Sequence, residues 1–288
     1  MKIPSEAKAA PEQSAASPKK TDRIFLFILA AVAVLALAMI YFGFSSKGEE
    51  STVLPSQKQQ QPPQQSAPGP QAEAQQAKIS ASAFESAHFL GNATAGIVLV
   101  EYGDFQCPYC QQVLSTLAQV RADYQNVEFV YRHYPLSAHP DAPKAAQAAE
   151  CAGLQGKFWE MHDKLFSNQG ALSVPALKGY AAGLSLDTAS FDSCLDTGQT
   201  ASAVEAQRAE GTAVGARATP TFLVFSRKGA SDPQSQAKAS AEAQKLYSRY
   251  SQYDLPVSAV AVDGAGWGIA FAGALPYSDF KEVLESFK

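Results

Sequence analysis

The run Phe105-Gln106-Cys107-Pro108-Tyr109-Cys110 holds two thiols with two residues between them. It lies where an apolar stretch, Ile97 to Tyr102, gives way to a helix-like one, Gln111 to Val120. Two cysteines so spaced can close a small disulfide ring and reopen it. The first sulfur falls at a helix N-terminus, where unpaired N–H groups and the helix dipole favour a thiolate. A thiolate is the species that attacks disulfides, so this placement makes Cys107 the reactive sulfur. Pro108 suits the first helical position and leaves Cys107 expected to be exposed. Such a pair is also half of a tetrahedral zinc site. The other two cysteines, Cys151 and Cys194, stand far apart and do not repeat the unit. A strand-then-helix setting favours redox chemistry over metal binding or an inert bridge. No metal and no cofactor are expected beyond the redox-active disulfide itself.

Several elements must hold this pair. Ile97 to Tyr102 reads as a strand buried on both faces. Val127-Glu128-Phe129-Val130-Tyr131 alternates and reads as a second strand. A long helical region follows, with Phe158, Met161, His162 and Leu165 at i, i+3, i+4 and i+7, and Leu177, Tyr180, Ala181 and Leu184 repeating the spacing. Thr200 to Ala213 reads as another helix. The chain returns to strand at Thr221 to Phe225, directly after Thr219-Pro220, where a proline marks an edge, a bend or a cis bond. Gly268 to Ala272 and Tyr277 to Phe287 supply a last strand and helix. His88, His133, His139 and His162 show no ligand spacing; His162 is assigned to helix packing and His133 to a strand end.

The N-terminal part bears on compartment. Ile24 to Phe44 is apolar and uncharged throughout, about 31 Å as a helix, enough to cross a bilayer core. Lys19, Lys20 and Arg23 precede it, so residues 1–23 are expected as a cytoplasmic tail, 24–44 as an uncleaved single-pass anchor in the cell membrane, and the remainder as extracytoplasmic. The run is longer than a signal-peptide core and lacks a clean cleavage site after it. Residues 45–82, rich in Gln, Pro, Ala and Ser, are expected to be a disordered linker. Residues 83–288 then form the working domain. A formal net charge of -4 with no basic block beyond the tail gives no reason to expect nucleic acid.

The motifs together resemble the DsbA-like thiol-disulfide oxidoreductases. The resemblance rests on Val98 to Cys110, on Tyr131-Arg132-His133-Tyr134-Pro135-Leu136, on Ala148 to Ala152 with Gly156-Lys157-Phe158-Trp159, and on Gly215 to Phe222. It implies an α/β, thioredoxin-like fold with an inserted α-helical domain, at about 139–215, between the second and third of these strands. It implies that Cys107 is the exposed nucleophile, Cys110 its buried partner, and Pro220 a cis-proline against the disulfide. Thr219 would pair with substrate backbone, and Glu101 would be a buried acid able to relay a proton to Cys110. Some relatives carry a second cysteine pair; with export and the even count, this favours a structural Cys151–Cys194 bridge. The strongest oxidants of the family carry His between the cysteines, whereas Tyr109 offers a phenol without positive charge, implying an oxidant of intermediate strength. Residues 226–256 form an extra insert, helical over Ala239 to Tyr250, whose Tyr247, Tyr250 and Tyr253 either pack on the domain or form a contact surface.

The function implied is disulfide donation to exported proteins with free thiols, with reoxidation by a quinone-linked membrane partner. A monomer is expected, and the linker, standing where isomerases of this fold usually carry a dimerisation domain, argues against an isomerase. A reductase or isomerase of the same fold, and a non-catalytic tethered peptide-binding module, are the alternatives.

Overall fold

The computed structural model describes residues 79–84 and 88–288. The expected tail, anchor and most of the linker lie outside the described residues, and no described helix is long and apolar enough to cross a membrane.

The elements run β1 (Ile79–Ser80), β2 (His88–Gly91), β3 (Ile97–Gly103), α1 (Pro108–Asp123), β4 (Val127–His133), α2 (Ala142–Gly153), α3 (Phe158–Phe166), α4 (Val174–Gly183), α5 (Thr188–Thr197), α6 (Ala201–Ala213), β5 (Thr221–Ser226), α7 (Ser235–Tyr250), β6 (Val257–Asp263), β7 (Gly266–Ala272) and α8 (Tyr277–Glu285). The seven strands form one sheet in the order β1-β6-β7-β5-β3-β4-β2. β3 and β4 are parallel, joined through α1, and β5 runs antiparallel to β3. The fold is thioredoxin-like, with α2 to α6 inserted between β4 and β5.

The centre of the sheet is dry because its strands are apolar on both faces. Every residue of β3 is buried, as the unbroken run Ile97 to Tyr102 predicts. β4 departs from the expectation set by its alternation: it too is buried throughout, Glu128 and Arg132 included. Its polar residues are covered because each meets a partner, Glu128 pairing with Arg227 and Arg132 with Glu210. On one face Val113, Leu117 and Val120 of α1 pack with Phe280, Val283 and Leu284 of α8. Each such side chain contributes about 1.5–3 kcal/mol when fully buried. The core of the helical insertion is continuous with the active-site turn, since Met161, Leu165 and Phe166 join the cluster that contains Phe105, Cys107 and Cys110.

Cys151 on α2 and Cys194 on α5 are bridged, with Cα atoms 6.0 Å apart. The extra insert packs onto the domain: Ala239, Ala243 and Leu246 of α7 are buried, and Tyr250 bonds to Asp279 of α8. Tyr247 and Tyr253 remain open to solvent. Two expectations change. The linker assigned through residue 82 overlaps β1, because Ile79 pairs with Val262 and is buried. And directly after the insert, at Val257–Asp263, stands a strand, β6, that was not expected there; its Val260 and Val262 are buried while Ser258 stays exposed.

Candidate active site

Register delivers the site. Glu101 stands opposite Phe222 and Tyr102 opposite Thr221, so Pro220 arrives beside the end of β3, where the chain turns toward the cysteines. The Thr219–Pro220 peptide bond is cis, and the Cys107 thiol donates to the Thr219 carbonyl at 3.2 Å. Residues far apart in sequence thus share one contact. Glycine is needed at the end of β3, because a Cβ on Gly103 would lie 2.6 Å from the Tyr131 ring.

The turn into α1 is pinned by Asp104, itself buried. Its carboxylate accepts from the N–H groups of Gln106 and Leu136, at 2.7 and 2.8 Å, and meets His139 Nδ1 at 2.8 Å. Cys107 is the N-cap of α1, in extended conformation, with Pro108 following as the first helical residue. Gln169, from the loop after α3, donates to the carbonyls of Phe105 and Cys107.

Tyr109 projects into solvent, 61% exposed, but Cys107 does not. The sequence reading expected an exposed nucleophile; the residue is 3% exposed and joins the core cluster. The Thr219 carbonyl meets its sulfur and the Gln169 side chain meets its backbone carbonyl, both from segments distant in sequence. Cys110 is fully buried, as expected, and the Asp104 N–H donates to its sulfur at 3.5 Å. Both are free thiols.

Their acidities are split. The Cys110 thiol donates to Cys107 and lowers its pKa to about 6; burial opposes this, while the Thr219 side-chain hydroxyl and the N–H groups of Cys110 and Tyr109 assist. Cys110 is pushed well above the thiol range by burial, by that same hydrogen bond and by the charge of Glu101. Glu101 is buried behind the pair, one carboxyl oxygen without a partner, and burial followed by the charge on Cys107 raises its pKa to about 8. A cavity of about 320 Å³ between α1, α3 and the sheet reaches Glu101 and Tyr131, with Arg121, His162 and Asp163 in its lining. The arrangement holds one sulfur as an anion, the other as a thiol, and a neutral carboxyl near both: the set needed for thiol–disulfide exchange.

Sequence reasoning missed the cluster behind β4. His88 and His133 meet the Glu150 carboxylate at 2.9 and 3.2 Å, and Gln207 donates to it at 2.8 Å. Against burial, which raises it, bonds to His133 and His88 hold Glu150 well below the usual carboxylate range. His162 packs among aromatic rings, as expected of a helix-packing residue.

Residues 83–242 match a sequence model described as thioredoxin. A thioredoxin-like oxidoreductase from Silicibacter pomeroyi DSS-3 superposes with a TM-score of 0.52 at 20% identity, over 72% of this chain and 96% of that one. The alpha-DsbA1 of Wolbachia pipientis gives 0.50 at 17% identity, over 70% and 90%. At these identities the two show the fold. Among curated proteins, Na(+)/H(+) antiporter NhaA 1 of Salinispora arenicola is 43% identical over 143 residues, 49% of this chain and 22% of that protein. NhaA of Herminiimonas arsenicoxydans is 42% identical over 142 residues, with the same coverage. The chain thus spans only about a fifth of these relatives, and the matches fall in its thioredoxin-like part. With more than half of its length covered by the family's own model, the chain belongs to the thioredoxin family.

Proposed function

We propose that the protein is a disulfide donor, introducing disulfides into exported proteins that carry free thiols. The observation that supports this best is the stabilised reduced state: Cys107 is held as a thiolate at neutral pH, and whatever stabilises the reduced form makes the disulfide a stronger oxidant. A substrate thiolate attacks Cys107 of the Cys107–Cys110 disulfide, forming a mixed disulfide and expelling Cys110 with the electron pair. Cys110, a weak acid in its buried site, takes up a proton, and Glu101 is the neutral carboxyl placed to supply it. A second substrate thiolate then attacks the substrate's own sulfur and releases Cys107 as thiolate. Two electrons pass from substrate dithiol to enzyme dithiol. Thr219 and Pro220 border the reacting sulfur and would take the substrate backbone; Pro108 and Tyr109 set the helix start and the exposed rim.

The reading includes an anchor at residues 24–44, an extracytoplasmic catalytic unit on a linker, a monomeric state, and reoxidation by a quinone-linked membrane partner. Tethering keeps both encounters near the bilayer and raises their effective concentration. The antiport activity named for the curated relatives is not carried over, because the match covers a fifth of them. The test is redox equilibration of the full chain, in detergent, with glutathione, together with oxidation of a reduced substrate protein. A potential of about -200 to -120 mV, with oxidation lost in Cys107→Ser, is expected. A value near -270 mV, as in thioredoxin, with no net oxidation would make it a reductase.

A further inference from the structure

Gln169 belongs to the helical insertion, on the loop between α3 and α4, yet its side chain ends on the active-site turn. Its Nε2 donates to the Phe105 and Cys107 carbonyls, both at 2.9 Å. Both partners can only accept, so the NH₂ group must face them, and each of its hydrogens is used. The Cys107 carbonyl is also the first acceptor of the α1 ladder. Its helical bond, from the Gln111 N–H, is stretched to 3.4 Å, beyond the ordinary range for N–H···O. Gln169 has taken the carbonyl that the helix would otherwise hold.

This matters for the sulfur through the backbone. The direction of the Cys107 carbonyl is set by its ψ of 120°, and the same torsion places the Cys107 side chain relative to the helix that follows. A donor that holds the oxygen therefore fixes where Sγ stands over the first turn. A second glutamine crosses the same seam in the opposite direction: Gln111 of α1 donates to the Phe166 carbonyl at 2.6 Å. Two glutamine side chains tie the insertion to α1 and the turn before it, and only that of Gln169 bonds to Cys107.

We propose that Gln169 is a positioning residue for Cys107, holding the Cys107 carbonyl partly out of the helix ladder so that its sulfur stays over the N–H groups of Tyr109 and Cys110. Thiolate formation then depends on the helical insertion being docked on the sheet. This rests on the reading of Cys107 as the attacking sulfur, and is independent of the direction of electron flow.

The test follows thiolate absorbance and iodoacetamide alkylation of the reduced full chain against pH, in Gln169→Ala, Gln169→Glu, Gln111→Ala and the parent. The titratable groups around Cys107, namely Cys110 of α1, Glu101 of β3, Tyr131 of β4 and Asp104 of the turn, are the same in Gln169→Ala, Gln111→Ala and the parent, while Gln169→Glu adds one carboxylate beside the Cys107 carbonyl. Gln169→Ala is expected to raise the Cys107 midpoint by about half a pH unit or more and to slow alkylation at pH 6 about twofold or more. Gln169→Glu, similar in shape but without a donor when ionised, should shift it at least as far. Gln111→Ala removes the side-chain bond to Phe166 while keeping the Gln111 backbone N–H on the Cys107 carbonyl, and should leave the midpoint in place. No shift in the Gln169 variants, or equal shifts in Gln169→Ala and Gln111→Ala, would overturn the proposal. An ordinary thiol midpoint in the parent would instead overturn the reading of Cys107 on which it rests.

Discussion

Glu101 and Cys107 ionise against each other, and their effects on stability have opposite signs. Burial, then the Cys107 charge, raises Glu101 from 4.5 to about 8. The folded chain therefore keeps a proton that the unfolded chain releases, so Glu101 favours folding fully below about pH 4.5 and that support is lost as pH rises through about 8. Glu101→Gln should accordingly stabilise the protein by about 2–4 kcal/mol at pH 9 and by little at pH 4, measured by urea unfolding. An equal effect at both values would show that the carboxyl does not titrate in this window. Cys107 behaves the other way in the reduced chain. Its pKa falls from 9.0 to about 6, so its contribution is full above about pH 9 and gone once pH has fallen through about 6. Reduced Cys107→Ser should therefore be less stable than reduced parent at pH 9 and nearly equal to it at pH 5. At this scale the cysteine pair was legible from residue type and spacing, because its chemistry is local, whereas the place of Pro220 beside it was implied only by the family resemblance. Gln169 and the Glu150 cluster were not legible, since each acts through a partner on another element.

Among the elements, two attachments carry most of what is particular to this chain. The bridge between α2 and α5 closes a loop with a sequence separation of 43, which chain-entropy reasoning values at about 4 kcal/mol. Replacing both cysteines with serine should lower the unfolding free energy by about 2–4 kcal/mol while leaving Cys107 alkylation unchanged. Loss of Cys107 reactivity as well would mean that the insertion is not a separable support. The second attachment joins α7 to α8: Arg249 meets Asp279 and Glu282, and Tyr250 bonds to Asp279. Asp279 is buried, so Arg249→Leu leaves a carboxylate short of its cation and should cost about 1–3 kcal/mol in urea unfolding. No change would mark α7 as loosely attached. Of the helices of the insertion, α3 and α4 were legible from apolar spacing, while α5 showed no such pattern and was not read. Neither β1 nor β6 was: β1 is too short to show a pattern, and β6 follows a polar insert that hides where the sheet resumes.

For the molecule as a whole, the sheet brings residues distant in sequence to one point. Pro220 reaches Cys107 because β5 pairs with β3 in a register set by two runs of buried apolar residues. That arrangement was implied by the family resemblance, whereas the burial of Cys107 was not expected from the sequence. The insertion also carries a disulfide of its own, distinct from the working pair. To mature, each new chain must surrender two electrons from Cys151 and Cys194 to some acceptor in the compartment where they meet. If the molecule donates disulfides, a finished copy is such an acceptor, and every newcomer is its client. Maturation would then be autocatalytic, with a lag that shortens when finished protein is added and persists when the added copy is Cys107→Ser.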